Sequence, residues 1–356
     1  MKILHTADLH LKNYGDERWE ALKEILEIGK REKIDILAIA GDLFDKEVFS
    51  QQLRPKIRNL FSLYPFQIVI LPGNHDKEAF EEGWDFGENT KILRDIDCPY
   101  ENEKLRIFGL PFSYQNEKEI LEKLYYLNTK IKTDKKNILL YHGELLDSSF
   151  SSEDFGNEEK RYMPAKLSYF KELKIDYVLA GHFHTHFDLR KISEKKYFVY
   201  PGSPISITKK ELGKRKVNLF ELGGPPREYL LNTPYYQERL IEIFPENENP
   251  IEKVKEELEK ILPFEKTILI LRGFIDSKLI KKTEVDLRKE IAKKFFEKCK
   301  KCKKEDFIFE VQDISKIMED EIFREFIKKL KEKNLPKQKE KEIFEIGVKV
   351  MMEICK

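Results

Sequence analysis

Short apolar runs that end abruptly in polar residues recur along the first 230 or so residues: Ile3-Leu4, Ile36 to Ala40, Ile68 to Leu71, Ile138 to Tyr141, Tyr177 to Ala180 and Phe198 to Tyr200. Continuous runs of this length predict strands buried on both faces, because a strand with one wet face alternates instead. Between the runs, Trp19, Leu22, Ile25 and Leu26 fall on one helical stripe, as do Leu53, Ile57, Leu60 and Phe61. That alternation predicts an α/β domain with a sheet core covered by helices. Ligands in such folds collect at the carboxyl ends of strands, which is where the polar residues of this region are concentrated.

Gly223-Gly224-Pro225-Pro226 is a turn signal, and Pro234 follows a last strand-like segment, Tyr229 to Leu231. The first domain is therefore expected to span 1–234. Beyond it the rhythm restarts as strand Leu240 to Phe244, a helix with Ile251, Val254, Leu258 and Ile261, and strand Thr267 to Leu271. A Lys-rich helix with Ile291, Phe295 and Cys299 and a strand Phe307 to Val311 complete a small βαβαβ module over 235–312. Residues 313–356 read as a helical pair broken at Leu335-Pro336. Ile314, Ile317, Met318, Ile322, Phe326 and Leu330 form one stripe, and Ile343, Phe344, Val348, Met351 and Met352 the other. Two short helices after a completed domain have little core of their own, so the stripes predict a partner surface. Packing back on the preceding module or pairing as a homodimer are the alternatives.

Composition narrows the class. The chain has 356 residues, 40% hydrophobic and 12% aromatic, which is enough for two cored domains and excludes a disordered chain. The 66 Lys and Arg against 65 Asp and Glu leave a net charge of +1, so any polyanion site must be a local patch. Lys278 to Lys304 is such a patch, with twelve cations against four acids. Lys289, Lys293 and Lys300 are expected on its outer face, as candidates for DNA phosphates or as an ordinary solvated helix face. Lys209, Lys210, Lys214, Arg215 and Lys216 form a second, loop-borne cluster. Cys98, Cys299, Cys302 and Cys355 are too few for a disulfide framework, and Cys299-Lys-Lys-Cys302 reads as two buried thiols. No apolar stretch reaches the ~18 residues of a membrane span, and the first residues lack the apolar core of a signal peptide. A reduced, cytoplasmic chain with no membrane contact is expected.

Five of the seven histidines sit where a strand has just ended. His10 follows Asp8 in Asp-x-His, His75 lies in Gly73-Asn74-His75-Asp76, His142 opens His-Gly, and His182 and His184 lie in Gly-His-x-His. Gly41-Asp42-Leu43-Phe44-Asp45 falls between the first two. A strand ending in Asp-x-His points both side chains to one side of the pleat. Carboxylate and amide oxygens mixed with imidazoles suit manganese, iron or zinc, and the lack of thiolates argues against a structural zinc site. His5, inside the first strand, reads as a core residue and His186 as a rim residue.

The order Asp-x-His, Gly-Asp-x-x-Asp, Gly-Asn-His-Asp, His-Gly, Gly-His-x-His resembles that of the calcineurin-like metallophosphoesterases. Within them the opening Met1 to Leu11 and Tyr200-Pro201-Gly202-Ser203-Pro204 resemble the SbcD-type DNA repair nucleases, the meiotic recombination eleven homologues. The resemblance implies an α/β/β/α sandwich with a small capping domain, and two divalent metals, manganese by expectation. Asp42 would bridge them, with Asp8, His10 and His184 on the first and Asn74, His142 and His182 on the second. It also implies catalytic roles for His75, at the phosphate or the leaving oxygen, and for Asp45 as a buttress of His75. Many nucleases of that branch carry a His in place of Asp45. The implied function is a DNA exonuclease, with single-strand endonuclease activity as an option, partnered through residues 313–356 by an SbcC-type SMC-like coiled-coil ATPase. A phosphodiesterase or phosphatase for a small soluble ester shares all five motifs. A non-catalytic scaffold would not need the intact ligand set.

Overall fold

A computed structural model describes residues 1–81, 83–147, 162–246 and 249–354. The chain divides into two compact units, Met1–Tyr236 and Gln237–Lys356. Among the described residues no helix is long and apolar enough to cross a membrane.

The first unit opens with β1 (Lys2–Thr6), α1 (Glu17–Glu32), β2 (Ile36–Ala40), α2 (Glu47–Phe61), β3 (Gln67–Leu71) and β4 (Thr90–Ile92). A second run follows: β5 (Tyr100–Glu101), β6 (Leu105–Leu110), α3 (Glu117–Lys130), β7 (Lys136–His142), β8 (Tyr177–Gly181), β9 (Asp188–Ser193) and β10 (Lys196–Tyr200). Strands β11 (Lys216–Glu221) and β12 (Glu228–Leu230) then return to the first sheet. The two six-stranded sheets have the orders β12-β11-β1-β2-β3-β4 and β5-β6-β7-β8-β10-β9. β1 to β4 are mutually parallel, as are β6, β7, β8 and β10.

Alternate residues of each strand serve different cores, as the pleat requires. Leu37 and Ile39 of β2 pack with Leu22, Ile25 and Leu26 of α1 and with Ile57 and Phe61 of α2. Their neighbours Ile36 and Ala38 turn the other way, to Ile138 and Leu140 of β7 and Leu179 of β8. Leu139 and Tyr141 of β7 meet Ile120, Leu124 and Leu127 of α3. The layers are helix, sheet, sheet, helix. The apolar runs are thus buried on both faces because helices cover one face and the opposite sheet covers the other, where the run pattern alone suggested a single helix-covered sheet. β6 and β11 escape that pattern because each run is broken by a buried polar residue. Arg106 in β6 is satisfied by Asp134 at 2.6 Å and Glu101 at 3.0 Å, and Asn218 in β11 lies 3.5 Å from the His5 ring.

The second unit contains β13 (Tyr235–Ile243) from Gln237 onward, α4 (Pro250–Glu259), β14 (Glu265–Ile275), α5 (Ser277–Ile280), α6 (Glu284–Lys298) and β15 (Phe307–Asp313). Its sheet order is β13-β14-β15, and Val254, Leu258, Leu287, Ile291 and Phe295 of the helices pack on it. The structure joins Cys299 to Cys302 in a disulfide, which corrects the reading as free thiols. α6 ends at Lys298, and the following turn, Cys302 N–H to Cys299 O at 3.1 Å, brings the two Cα atoms to 5.4 Å. That spacing suits a disulfide. Cys355 lies outside the described residues.

The tail forms three helices, where two were expected: α7 (Ser315–Glu319), α8 (Glu321–Glu332) and α9 (Lys337–Ile354). Asp320 ends α7 and caps α8 by accepting from the N–H groups of Ile322 and Phe323, which resets the helical phase. Phe323 therefore turns inward and Ile322 is 74% exposed, the one member of the stripe Ile314, Ile317, Met318, Ile322, Phe326 and Leu330 that leaves the core. Phe323, Leu330, Phe344, Val348 and Met351 form a cluster with Phe274 of β14. The tail thus does bury a core of its own, against the premise that its stripes lack one. What remains outside on α9 is Ile346, Val350 and Ile354, one turn apart and all exposed.

Candidate dinuclear metal centre

The carboxyl ends of β1, β2, β3, β7 and β8 deliver the histidines and carboxylates to one place. Three groups have ligand atoms within 4.8 Å of one another: Asp8, His10 and His184; Asp42, His142 and His182; and His10, Asp42 and His75. Asn74 joins the second group through Oδ1, 3.0 Å from His142 Nε2. The loops after β1 and β2 are tied together by Asp8 N–H to Gly41 O at 3.1 Å and His10 N–H to Asp42 O at 2.9 Å. Four of these residues hold left-handed backbone, with φ of 57° at Asp8, 49° at His10, 53° at Asp42 and 85° at His182. Such conformations are costly for residues with a Cβ and concentrate at functional sites. Two glycines are needed for close approach: a Cβ at Gly41 would overlap the His142 ring, and one at Gly73 would overlap the Asp42 carboxylate.

The donor set fits a pair of hard or borderline cations. Asp42 Oδ2 is buried and has no hydrogen-bond partner among the described residues, yet it lies 3.2 Å from His142 Nε2 and 3.7 Å from His10 Nε2, between the groups. His10 Nε2 and His184 Nε2 face each other at 3.4 Å. Burial, helped by the neighbouring histidines and opposed by Asp42, holds His10 and His182 well below the ordinary imidazole range, so both are neutral and keep a lone pair for a metal. The His142 imidazole is opposed by burial but pushed up to about 10, chiefly by Asp42. Burial raises the Asp8 carboxyl to about 6, against the pull of His184 and His142. Two of the ligands are also oriented from behind. His142 Nδ1 donates to Ala40 O at 2.8 Å, and Asp8 accepts the His182 N–H at 3.0 Å on both oxygens.

His75 is half-buried beside these groups. Its N–H donates to Asp42 Oδ1 at 3.0 Å, and its ring meets His10 edge-on at 4.7 Å between centroids. Ring Nδ1 donates to the main-chain carbonyl of Asp45 at 3.0 Å. The buttress of His75 is thus the backbone of Asp45 and not its carboxylate, which corrects the role implied by resemblance. That carboxylate is taken by Arg18 at 3.0 Å and Lys12 at 3.1 Å, and faces His10 Nδ1 at 3.8 Å. Arg18 reaches it because Asp16 caps α1 and starts the helix directly beside the Asp-x-His loop, and Arg18 also donates to the His10 carbonyl.

A model of the calcineurin-like phosphoesterase family matches residues 1–186, more than half of the 356. The chain belongs to that family. Calcineurin-like phosphoesterases hydrolyse phosphoesters with two divalent metals, and Asp8, His10, Asp42, Asn74, His142, His182 and His184 are the residues of this phosphoesterase that could hold them. Several solved structures are similar. A dimetal phosphatase from Danio rerio is 11% identical with a TM-score of 0.42, over 61% of this chain and 91% of its own. A Thermus thermophilus protein is 13% identical with a TM-score of 0.39, over 61% and 92%. The GAP50 anchor of the Plasmodium inner membrane complex is 13% identical with a TM-score of 0.42, over 65% and 84%. These likenesses are too distant to add to the family assignment.

The phosphoesterase also places residues that spacing did not reveal. Arg215, read from sequence as part of a loop-borne DNA cluster, is 2% exposed. Its guanidinium donates to the carbonyls of Ser203 and Thr185, both at 2.9 Å, and of His184, so it shapes the site from inside and is not available to a polyanion. Glu211, buried behind His184, belongs to no motif and escaped the sequence reading. The one signal pointing there was the Pro201-Gly202-Ser203-Pro204 turn, whose Ser203 bonds both residues. His5 is buried, its imidazole lowered to about 3 by that burial, and lies outside the three ligand groups, as does the exposed His186.

Proposed function

We propose that this phosphoesterase is a manganese-dependent DNA nuclease, an exonuclease first, that works with an SMC-like coiled-coil ATPase of the SbcC type. The observation that carries the DNA reading is the exposure of Lys289, Lys293 and Lys300 on and just after α6, in a chain whose net charge is only +1. The resemblance of the opening segment and of the Tyr200 to Pro204 turn to SbcD-type nucleases supports the same reading. When bound, two cations lower the pKa of a water and offset the charge on the attacked phosphate. The protein's own part is positional. Asp42 faces both groups, and Asn74 and His142 together hold one side of the cleft. His75 keeps its Nδ1 proton on the Asp45 carbonyl, which leaves Nε2 to hold or pass a proton at the leaving oxygen.

The deciding assay compares labelled duplex DNA with bis-p-nitrophenyl phosphate, in manganese, magnesium or chelator. Cleavage of both substrates with manganese and of neither with chelator is expected. Cleavage of the small ester alone would make the protein a small-ester phosphodiesterase. In the same assay, replacing Lys289, Lys293 and Lys300 by Glu should weaken DNA binding. The logarithmic salt slope should fall by roughly 0.9 for each phosphate that the protein no longer neutralises, with small-ester hydrolysis unchanged. Equal losses on both substrates would count against a DNA role for these lysines.

For the ATPase, the exposed α9 residues Ile346, Val350 and Ile354 are the proposed docking face. Since the tail shares a cluster with Phe274, surface substitution is a cleaner test than deletion. Ile346→Glu with Val350→Glu should leave melting and nuclease activity intact while abolishing copurification with an SbcC-type ATPase. Retained copurification would rule this face out.

A further inference from the structure

His184 presents its two ring nitrogens to two different carboxylates. Nε2 lies 3.7 Å from Asp8 Oδ1 and 3.4 Å from His10 Nε2, inside the first ligand group. Nδ1, which has no hydrogen-bond partner at closer range among the described residues, lies 3.7 Å from Glu211 Oε1. A neutral imidazole carries one proton, so a ring that ligates through Nε2 must keep that proton on Nδ1. An acceptor facing Nδ1 is what selects this tautomer and fixes the ring plane.

Glu211 is built to stay in place. It is 3% exposed and accepts from Ser203 Oγ at 2.8 Å, Ile207 N–H at 2.8 Å, Thr208 N–H at 3.2 Å and Thr208 Oγ1 at 3.1 Å. The buried Arg215 donates to Ser203 Oγ at 3.1 Å and so connects to the carboxylate through that hydroxyl. The second ligand group differs. There His142 Nδ1 is held by a neutral carbonyl, Ala40 O, at 2.8 Å.

We infer that Glu211 is a positioning residue for His184, and that the first cation's affinity depends on this carboxylate while the second cation's does not. The inference rests on the two-cation reading of the site and is independent of which phosphoester is cleaved. A carboxylate acceptor raises the basicity of the ligating nitrogen more than a carbonyl does, so its loss weakens one site alone.

The test uses the full-length, metal-stripped protein titrated with manganese, following occupancy by calorimetry and by the spin-coupled signal of a paired centre. Wild-type protein should bind two ions. Glu211→Gln should bind one of them 10- to 100-fold more weakly, the range expected for losing an orienting partner, with the other unchanged and the coupled signal replaced by that of isolated manganese. Thr208→Val removes a hydrogen bond to the same carboxylate but leaves it facing His184, so both affinities should persist even where melting falls. Two wild-type affinities in Glu211→Gln, or loss of the first ion in Thr208→Val, would overturn the inference. A wild-type protein that binds fewer than two ions overturns the two-cation reading itself, a result distinct from either. Should Glu211→Gln fail to fold, imidazole nitrogen resonances of the magnesium-loaded wild type decide the matter. A proton on His184 Nδ1 is expected, and a proton on Nε2 refutes the assignment.

Discussion

Asp42→Ala is expected to empty the centre of both cations and to abolish hydrolysis, by far more than the ~10²-fold that losing an orienting partner costs. Among the described residues Asp42 is the one carboxylate shared between groups, with Oδ2 3.2 Å from His142 Nε2 and 3.7 Å from His10 Nε2. Its other oxygen accepts the His75 N–H at 3.0 Å, so the substitution also frees the backbone that places His75. In the metal-free protein Asp42 is the main partner of a buried His142, and breaking a buried pair from one side costs about 3–5 kcal/mol. Asp42→Asn separates these effects. It keeps the volume and an acceptor for His75 but not the charge, and it too should lose both ions. Metal analysis after dialysis is the measurement. Two ions retained at wild-type affinity in Asp42→Asn would refute the bridging role.

His75→Ala should lower turnover by about 10²- to 10⁴-fold, the usual contribution of a positioned acid or base, with both metals retained. The distinction matters because His75 also falls within 4.8 Å of ligand atoms of His10 and Asp42. A ligand role predicts lost metal, and a proton-transfer role predicts lost turnover at full occupancy. The Asp45 carbonyl favours the second, since it holds Nδ1 protonated whether the ring is neutral or charged. For the same reason Asp45→Ala should disturb turnover less than His75→Ala, because the carbonyl remains when the carboxylate is removed. Near wild-type turnover in His75→Ala would remove it from the mechanism.

The ligand groups were legible because their chemistry is local. Asp8 and His10, or His182 and His184, are two residues apart just past a strand end, although left-handed backbone at Asp8, His10 and His182, and not the expected pleat, is what turns them into the site. The glycines beside them, Gly41 and Gly73, mark places where no Cβ fits. Apolar runs such as Ile36 to Ala40 likewise announced buried strands, and the resemblance of the motif order to a known family implied a single centre. Partnerships between distant segments were another matter. Whether the second face of β2 meets helices or another sheet depends on where β7 and β8 travel, and no period in β2 encodes that. Resemblance to related phosphoesterases pairs Asp45 with His75, yet a cation 27 residues upstream, Arg18, claims its carboxylate because charge pairing follows distance in space. Arg215 and Glu211 look like ordinary members of a polar loop, and only the fold, by closing that loop under His184, makes one a clamp and the other an acceptor. In the tail, a single cap at Asp320 rotated α8 so that Phe323 and not Ile322 is buried, since a helix's phase is set where it starts. The order of residues thus encodes the chemistry at each strand end without help. Which side chains stand behind that chemistry is settled by the folded neighbourhood, because burial and pairing are properties of neighbours in space.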